Sequence, residues 1–89
     1  MNVNRVILLG NLTRDPELRR TPRGTEVCAL GLALNRAFTD GEGERQEETS
    51  FIDAEAWGRR AELIGQHLHK GDPVLLEGRL KQERWQARP

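Results

Sequence analysis

Phe51-Ile52-Asp53-Ala54-Glu55-Ala56-Trp57-Gly58 decides how this chain is read. Ile52, Ala54 and Ala56 alternate with bulkier or charged neighbours, the period of a strand with one apolar face. Gly58 ends the alternation. From Arg59 to Lys70 the apolar positions are Ala61, Ile64 and Leu68, one stripe of a helix that stops at Gly71. Asp72-Pro73 then opens a last strand through Val74, Leu75, Leu76 and Leu80 toward Trp85.

Upstream, Asp40-Gly41-Glu42-Gly43 is a hairpin signal. The strand from about Gln46 to Trp57 therefore returns against Val27 to Arg36. There Cys28, Leu30, Leu32 and Leu34 form the core face, and Ala29, Gly31, Ala33 and Asn35 form the other. Asp15-Pro16 and Thr21-Pro22-Arg23-Gly24 read as turns. Val3 to Leu12 reads as a strand that is apolar on both faces around Val6–Leu9, so one face is expected to meet another subunit. The order is three strands, one helix, one strand. An oligonucleotide-binding barrel places a helix between its third and fourth strands.

The 89 residues fit a single domain spanning 1–89, of a size often helped by oligomerisation. No apolar run approaches the roughly 20 residues of a membrane span. The short apolar N-terminal stretch lacks the pattern of a signal peptide, and the single Cys28 allows no intrachain disulfide, so a cytoplasmic location is expected. Net charge is zero, but it is unevenly spread. Residues 1–36 carry six Arg against three acids, residues 37–57 one Arg against seven acids, and residues 58–89 seven bases against four acids. Two basic segments flank an acidic one, which is compatible with a basic binding surface or with ordinary solvated surface.

The aromatic residues are more informative. There are four: Phe38, Phe51, Trp57 and Trp85. Strand parity puts Phe51 and Trp57 opposite the apolar face of their strand, with Asp53 and Glu55 between them. Trp85 shares parity with Glu77, Arg79, Lys81 and Glu83. Phe38 follows Arg36 at the mouth of the hairpin. Rings on polar faces need a partner. Nucleic-acid bases offer flat faces to stack on, and their phosphates need cations such as Arg36, Arg79, Lys81 and Arg84, with Arg5 and Arg59 behind them. The competing reading is that the rings cover a subunit interface, or that a one-residue slip inverts the faces.

Residues Asn4 to Arg19, including Gly10-Asn11-Leu12-Thr13-Arg14-Asp15-Pro16-Glu17-Leu18, resemble the opening of the bacterial single-stranded DNA-binding protein family. So does Thr21-Pro22-Arg23-Gly24-Thr25. Glu48-Thr49-Ser50-Phe51-Ile52-Asp53, Trp57-Gly58 and Ala61-Glu62 are similar to its third strand and helix entry. Leu68-His69-Lys70-Gly71 and Val74 to Leu80 are similar to its fourth strand. The resemblance implies an all-β fold with one short helix, the five-stranded Greek-key barrel of the oligonucleotide-binding class. It implies base stacking on Phe38, Phe51, Trp57 and Trp85, and a homotetramer with first strands paired between subunits. The partner implied is single-stranded DNA, bound in replication, recombination and repair. Family members also carry a fifth strand closing the barrel and a tail with an acidic, apolar tip that recruits other enzymes. The chain stops at Pro89, so most or all of that last strand, and tail-dependent recruitment, are not expected of it. An open first-strand edge would invite aggregation.

No cofactor, metal site or catalytic residue is expected. Asp53 and Glu55 stand two apart on one strand face, which could present two carboxylates to a divalent metal, as in nucleases, but no lysine follows at close spacing. His67 and His69 are two apart on the helix and diverge. Cys28 reads as a small buried hydrophobe. A related binding barrel, an RNA-binding module or a pure assembly domain with the rings as subunit glue remain open alternatives.

Overall fold

The computed structural model describes residues 1–82. Its elements are β1 (Val6–Leu12), β2 (Glu17–Arg20), β3 (Glu26–Thr39), β4 (Arg45–Trp57), α1 (Arg59–His67) and β5 (Pro73–Gly78). All strand pairs are antiparallel. β3 is the spine. β4 runs along one of its edges in unbroken register from Val27↔Trp57 to Thr39↔Arg45. Its other edge takes β2 at Glu26–Ala29 and then β1 at Leu32–Ala33. β5 pairs with β1 from Val6↔Gly78 to Asn11↔Pro73. β5 thus takes one edge of β1, while on the other edge only Asn11 and Leu12 pair with β3 among the described residues. Among the described residues β4 and β5 do not pair with each other either.

The core follows the alternation of β3. Cys28, Leu30 and Leu32 are buried, together with Leu12 and Ala61. Leu8, Ile52, Ala54, Ala56, Ile64, Leu68, Val74 and Leu76 pack around them from β1, β4, α1 and β5. Sheet and helix therefore share one apolar centre. Gly10 permits a close crossing at the point where β1 meets β3. A Cβ there would collide with the Ala33 carbonyl and lie 3.1 Å from carbons of both Leu32 and Leu34.

Three expectations are corrected. The sequence marks β2 only as a segment between turns. Its four residues are all exposed, so no apolar alternation marks it. Backbone pairing on the free edge of β3 and the Arg20–Glu26 ion pair between facing residues hold it, with Arg20 Nε donating to Glu26 Oε1 at 2.8 Å. The helix ends at His67, not at Lys70. Leu68 is extended (φ −106°, ψ 147°) and turns its side chain into the core. Beyond it, side-chain acceptors outbid helical carbonyls: Asp72 takes the His69 N–H and Asp15 takes the Lys70 N–H, each at 2.8 Å. Gly71 (φ 91°) belongs to this turn, where its N–H donates to the Leu12 carbonyl at 2.8 Å. Finally, β5 stops at Gly78 rather than running on through Leu80, which is exposed. The Asn4 side chain brackets Leu80, donating to its carbonyl at 2.7 Å and accepting from its N–H at 2.9 Å.

Candidate nucleic-acid interface

β4 carries the centre of the site. Ile52, Ala54 and Ala56 turn toward the core and are half-buried, which leaves Phe51, Asp53, Glu55 and Trp57 outward. Phe51 is 74% exposed and Trp57 53%. The two rings are six positions apart, about 20 Å along the strand, so each ring would meet a different nucleotide. The neighbouring strand keeps the surface low. Ala33 faces Phe51, Gly31 faces Asp53, and Ala29 faces Glu55. Next to Phe51, Thr49 donates to the Asn35 side chain across the strands at 2.9 Å. The rings therefore stand beside a strip of small residues on β3, with Asp53 and Glu55 between them on β4.

Phe38 is placed differently. The register is continuous, so Arg36 and Phe38 share the face of Ile52, opposite to that of Phe51 and Trp57. Beyond Leu34, β3 pairs among the described residues with β4 alone, and the residues of this arm are mostly exposed on both faces. The Arg36 guanidinium lies 4.9 Å from the centre of the Phe38 ring, a cation–π contact. Phe38 also lines a shallow depression with Ala37, Thr39 and Arg45. The structure thus brings Phe51 and Trp57 onto one face and sets Phe38 with Arg36 on the other side of the arm. Arg79 and Lys81 are exposed just past β5, where strand parity no longer orients them. Arg84 and Trp85 lie outside the described residues.

Two weaker candidates already have carboxylate partners: Arg5 with Glu77 at 2.5 Å and Arg59 with Glu62 at 3.0 Å. A further cation was missed. Arg14 lies over Gly31, where a Cβ would come within 2.6 Å of its Nη1. The same guanidinium is 3.9 Å from Asp53, which stands between the two rings on β4, nearer Phe51. The available signal was Gly31 itself, a glycine on the outward face of an otherwise regular strand, which marks a close approach by another group. Asp53 therefore has a cationic neighbour as well as Glu55 on the same face.

A model of the single-strand binding protein family matches residues 3–89. Over 82 residues, 92% of the chain, the sequence is 50% identical to the single-stranded DNA-binding protein of Helicobacter hepaticus and covers 48% of that protein. Among solved structures, a deletion mutant of the single-stranded DNA binding protein from Thermus aquaticus superposes with a TM-score of 0.89 at 38% identity, covering 97% of this chain and 42% of that one. The Plasmodium falciparum SSB complex with ssDNA shares the fold, with a TM-score of 0.92 at 24% identity, over 98% of this chain and 78% of that one. The chain spans about half the length, or less, of the curated relatives it matches. The motif-bearing stretches, the open antiparallel sheet with one helix among the described residues and the family match agree, and this chain belongs to the single-strand binding protein family.

Proposed function

We propose that this chain is a single DNA-holding unit that binds and protects single-stranded DNA with little regard to sequence, and that it catalyses no reaction. The observation that carries this reading is the pair Phe51 and Trp57, exposed on one sheet face beside the small residues Ala29, Gly31 and Ala33 of the neighbouring strand. Bases stack on the rings, and cations neutralise the phosphates. Arg36, Arg79 and Lys81 supply cations at the described edges, and Arg84 and Trp85 extend the same role outside the described residues. Phe38 adds a third ring on the other side of the arm. Duplex DNA binds poorly because its bases are already stacked on one another. Relatives named single-stranded DNA-binding proteins support the choice of ligand.

The working form proposed is a homotetramer in the bacterial cytoplasm. Its support is an exposed apolar strip on the outer face of β1 and β5, where Leu9 faces Leu75 and Ile7 lies alongside. No described helix is long and apolar enough to cross a membrane.

The test is tryptophan fluorescence titrated with oligo(dT), with duplex DNA as control. Saturable quenching by oligo(dT) alone is expected. A folded protein whose emission does not respond would overturn the stacking reading. A matched RNA oligomer in the same assay separates DNA from RNA preference.

A further inference from the structure

We propose that Arg14 is a phosphate-binding residue between the two rings of the Phe51–Trp57 platform, held there by Gly31 and Asp53, and that incoming DNA displaces Asp53 from it. The inference rests on the proposed binding of single-stranded DNA and assigns a residue to it. The position of Arg14 is fixed from the backbone upward. At the end of β1, the Leu12 N–H donates to the Asp72 carbonyl and the Thr13 N–H donates to the Gly31 carbonyl, both at 2.9 Å. The chain therefore leaves β1 beside Gly31, and the Arg14 side chain crosses that glycine toward β4. Any side chain at position 31 would occupy the space that Thr13 and the Arg14 guanidinium fill. Gly31 faces Asp53 in the register, which brings the guanidinium to the carboxylate.

The ion pair is poorly suited to be an end in itself. At 3.9 Å it is long, and the Asp53 side chain is 94% exposed, so water screens it. The platform has a stronger use for the cation. Between Phe51 and Trp57 the β4 face offers only Asp53 and Glu55, two negative charges where a phosphate backbone must pass. Arg36 lies on the opposite face and Arg79 and Lys81 lie past β5, so none of them is placed between the rings by the sheet. Arg14 is. A guanidinium binds phosphate in a two-pronged fashion as well as it binds carboxylate. A phosphate arriving between the rings therefore competes with Asp53 for the same donors.

The experiment measures oligo(dT) affinity against salt for the full chain, Arg14→Gln, Arg14→Lys and Asp53→Asn. Each phosphate contact to a single strand contributes about 0.7 to the slope of log K against log salt. Arg14→Gln should lower the slope by about that amount, so between 50 and 200 mM salt the unaltered chain should lose roughly 2.5-fold more affinity than the variant. Arg14→Lys should keep the slope, because the charge remains. Asp53→Asn should tighten binding, and by more when Arg14 is present than in the Arg14→Gln background. An Arg14→Gln slope equal to that of the unaltered chain would overturn the assignment while leaving DNA binding intact. Equal losses in Arg14→Gln and Arg14→Lys, with matching falls in the urea midpoint, would make Arg14 structural and overturn it too. Failure of the unaltered chain to bind oligo(dT) would remove the proposed function itself.

Discussion

Phe51 and Trp57 expose most of their rings in a domain whose core is built from Leu, Ala, Val, Ile and a cysteine. A ring left in water contributes little to folding, so its removal should barely disturb stability and should instead weaken binding. Stacking contributes about 1–3 kcal/mol per base, so Phe51→Ala and Trp57→Ala should each lower oligo(dT) affinity by roughly 5- to 150-fold. The urea midpoint should hardly move. Affinity by anisotropy of a labelled oligomer avoids relying on the deleted fluorophore. Unchanged affinity in both variants would sink the platform. Gly10 is the opposite kind of residue. Its Cβ would strike the Ala33 carbonyl and crowd Leu32 and Leu34, so Gly10→Ala should cost about 1–3 kcal/mol. A lower urea midpoint with an unchanged m-value is the expected signature. Cys28 is fully buried, and burial pushes its thiol up, so it should resist thiol reagents until the domain unfolds.

At the scale of elements, the β3–β4 hairpin depends on its turn and on where it leaves the core. The Asp40 carboxylate accepts the N–H groups of Glu44 and Glu42, both at 2.9 Å, and is approached by the Gln46 amide at 3.2 Å. These bonds hold its pKa below the ordinary carboxylate value, the Glu44 bond contributing most. A depressed acid stabilises the fold above its unfolded pKa and loses that contribution as pH falls through the folded one. The turn should therefore loosen only in the acid range below ordinary aspartate titration. The Glu42 and Glu44 amide resonances should follow that transition, and Asp40→Asn should remove it. Flat amide shifts across the range would contradict the assignment. The outer arm, Leu34–Thr39 with Arg45–Ser50, has no third strand among the described residues, so its amides should exchange faster than those of Leu30 and Leu32. The hairpin and the core face were legible because large and small residues alternate cleanly along Cys28–Leu34 and Phe51–Trp57. β2 was not, because Glu17–Arg20 carries one apolar side chain, Leu18 against Gly65 of α1, too few to mark a strand by alternation. The end of α1 was misplaced because Gly71 looked like the stop, whereas the Asp15 and Asp72 carboxylates had already taken the next two amides. Arg14 was missed because its neighbours Gly31 and Asp53 lie far away in sequence and meet it only through the register.

For the whole molecule, the open question is what covers the outer face of β1 and β5. Val6 and Leu8 on β1 turn inward with Leu76 and Val74 on β5. That leaves Leu9 68% and Leu75 69% exposed as facing neighbours, with Ile7 beside them. A contiguous apolar strip of this kind on a small domain calls for a partner. The alternation also rules out a register slip as its origin, because shifting β1 by one residue would expose Val6, Leu8 and the crowded Gly10 instead. A second copy of the chain presents the same strip and can match it about a two-fold axis. Leu75→Glu would place a carboxylate in the middle of that contact, where it must be desolvated beside its own copy. The variant should stay folded by circular dichroism, since position 75 points away from the core. Its mass by light scattering should fall below that of the unaltered chain at equal concentration. Trp57→Ala should leave the mass unchanged and lose DNA, because the rings and the strip occupy different parts of the surface. If Trp57→Ala dissociated the assembly and Leu75→Glu did not, the rings would be the subunit glue, and the strip would need another partner.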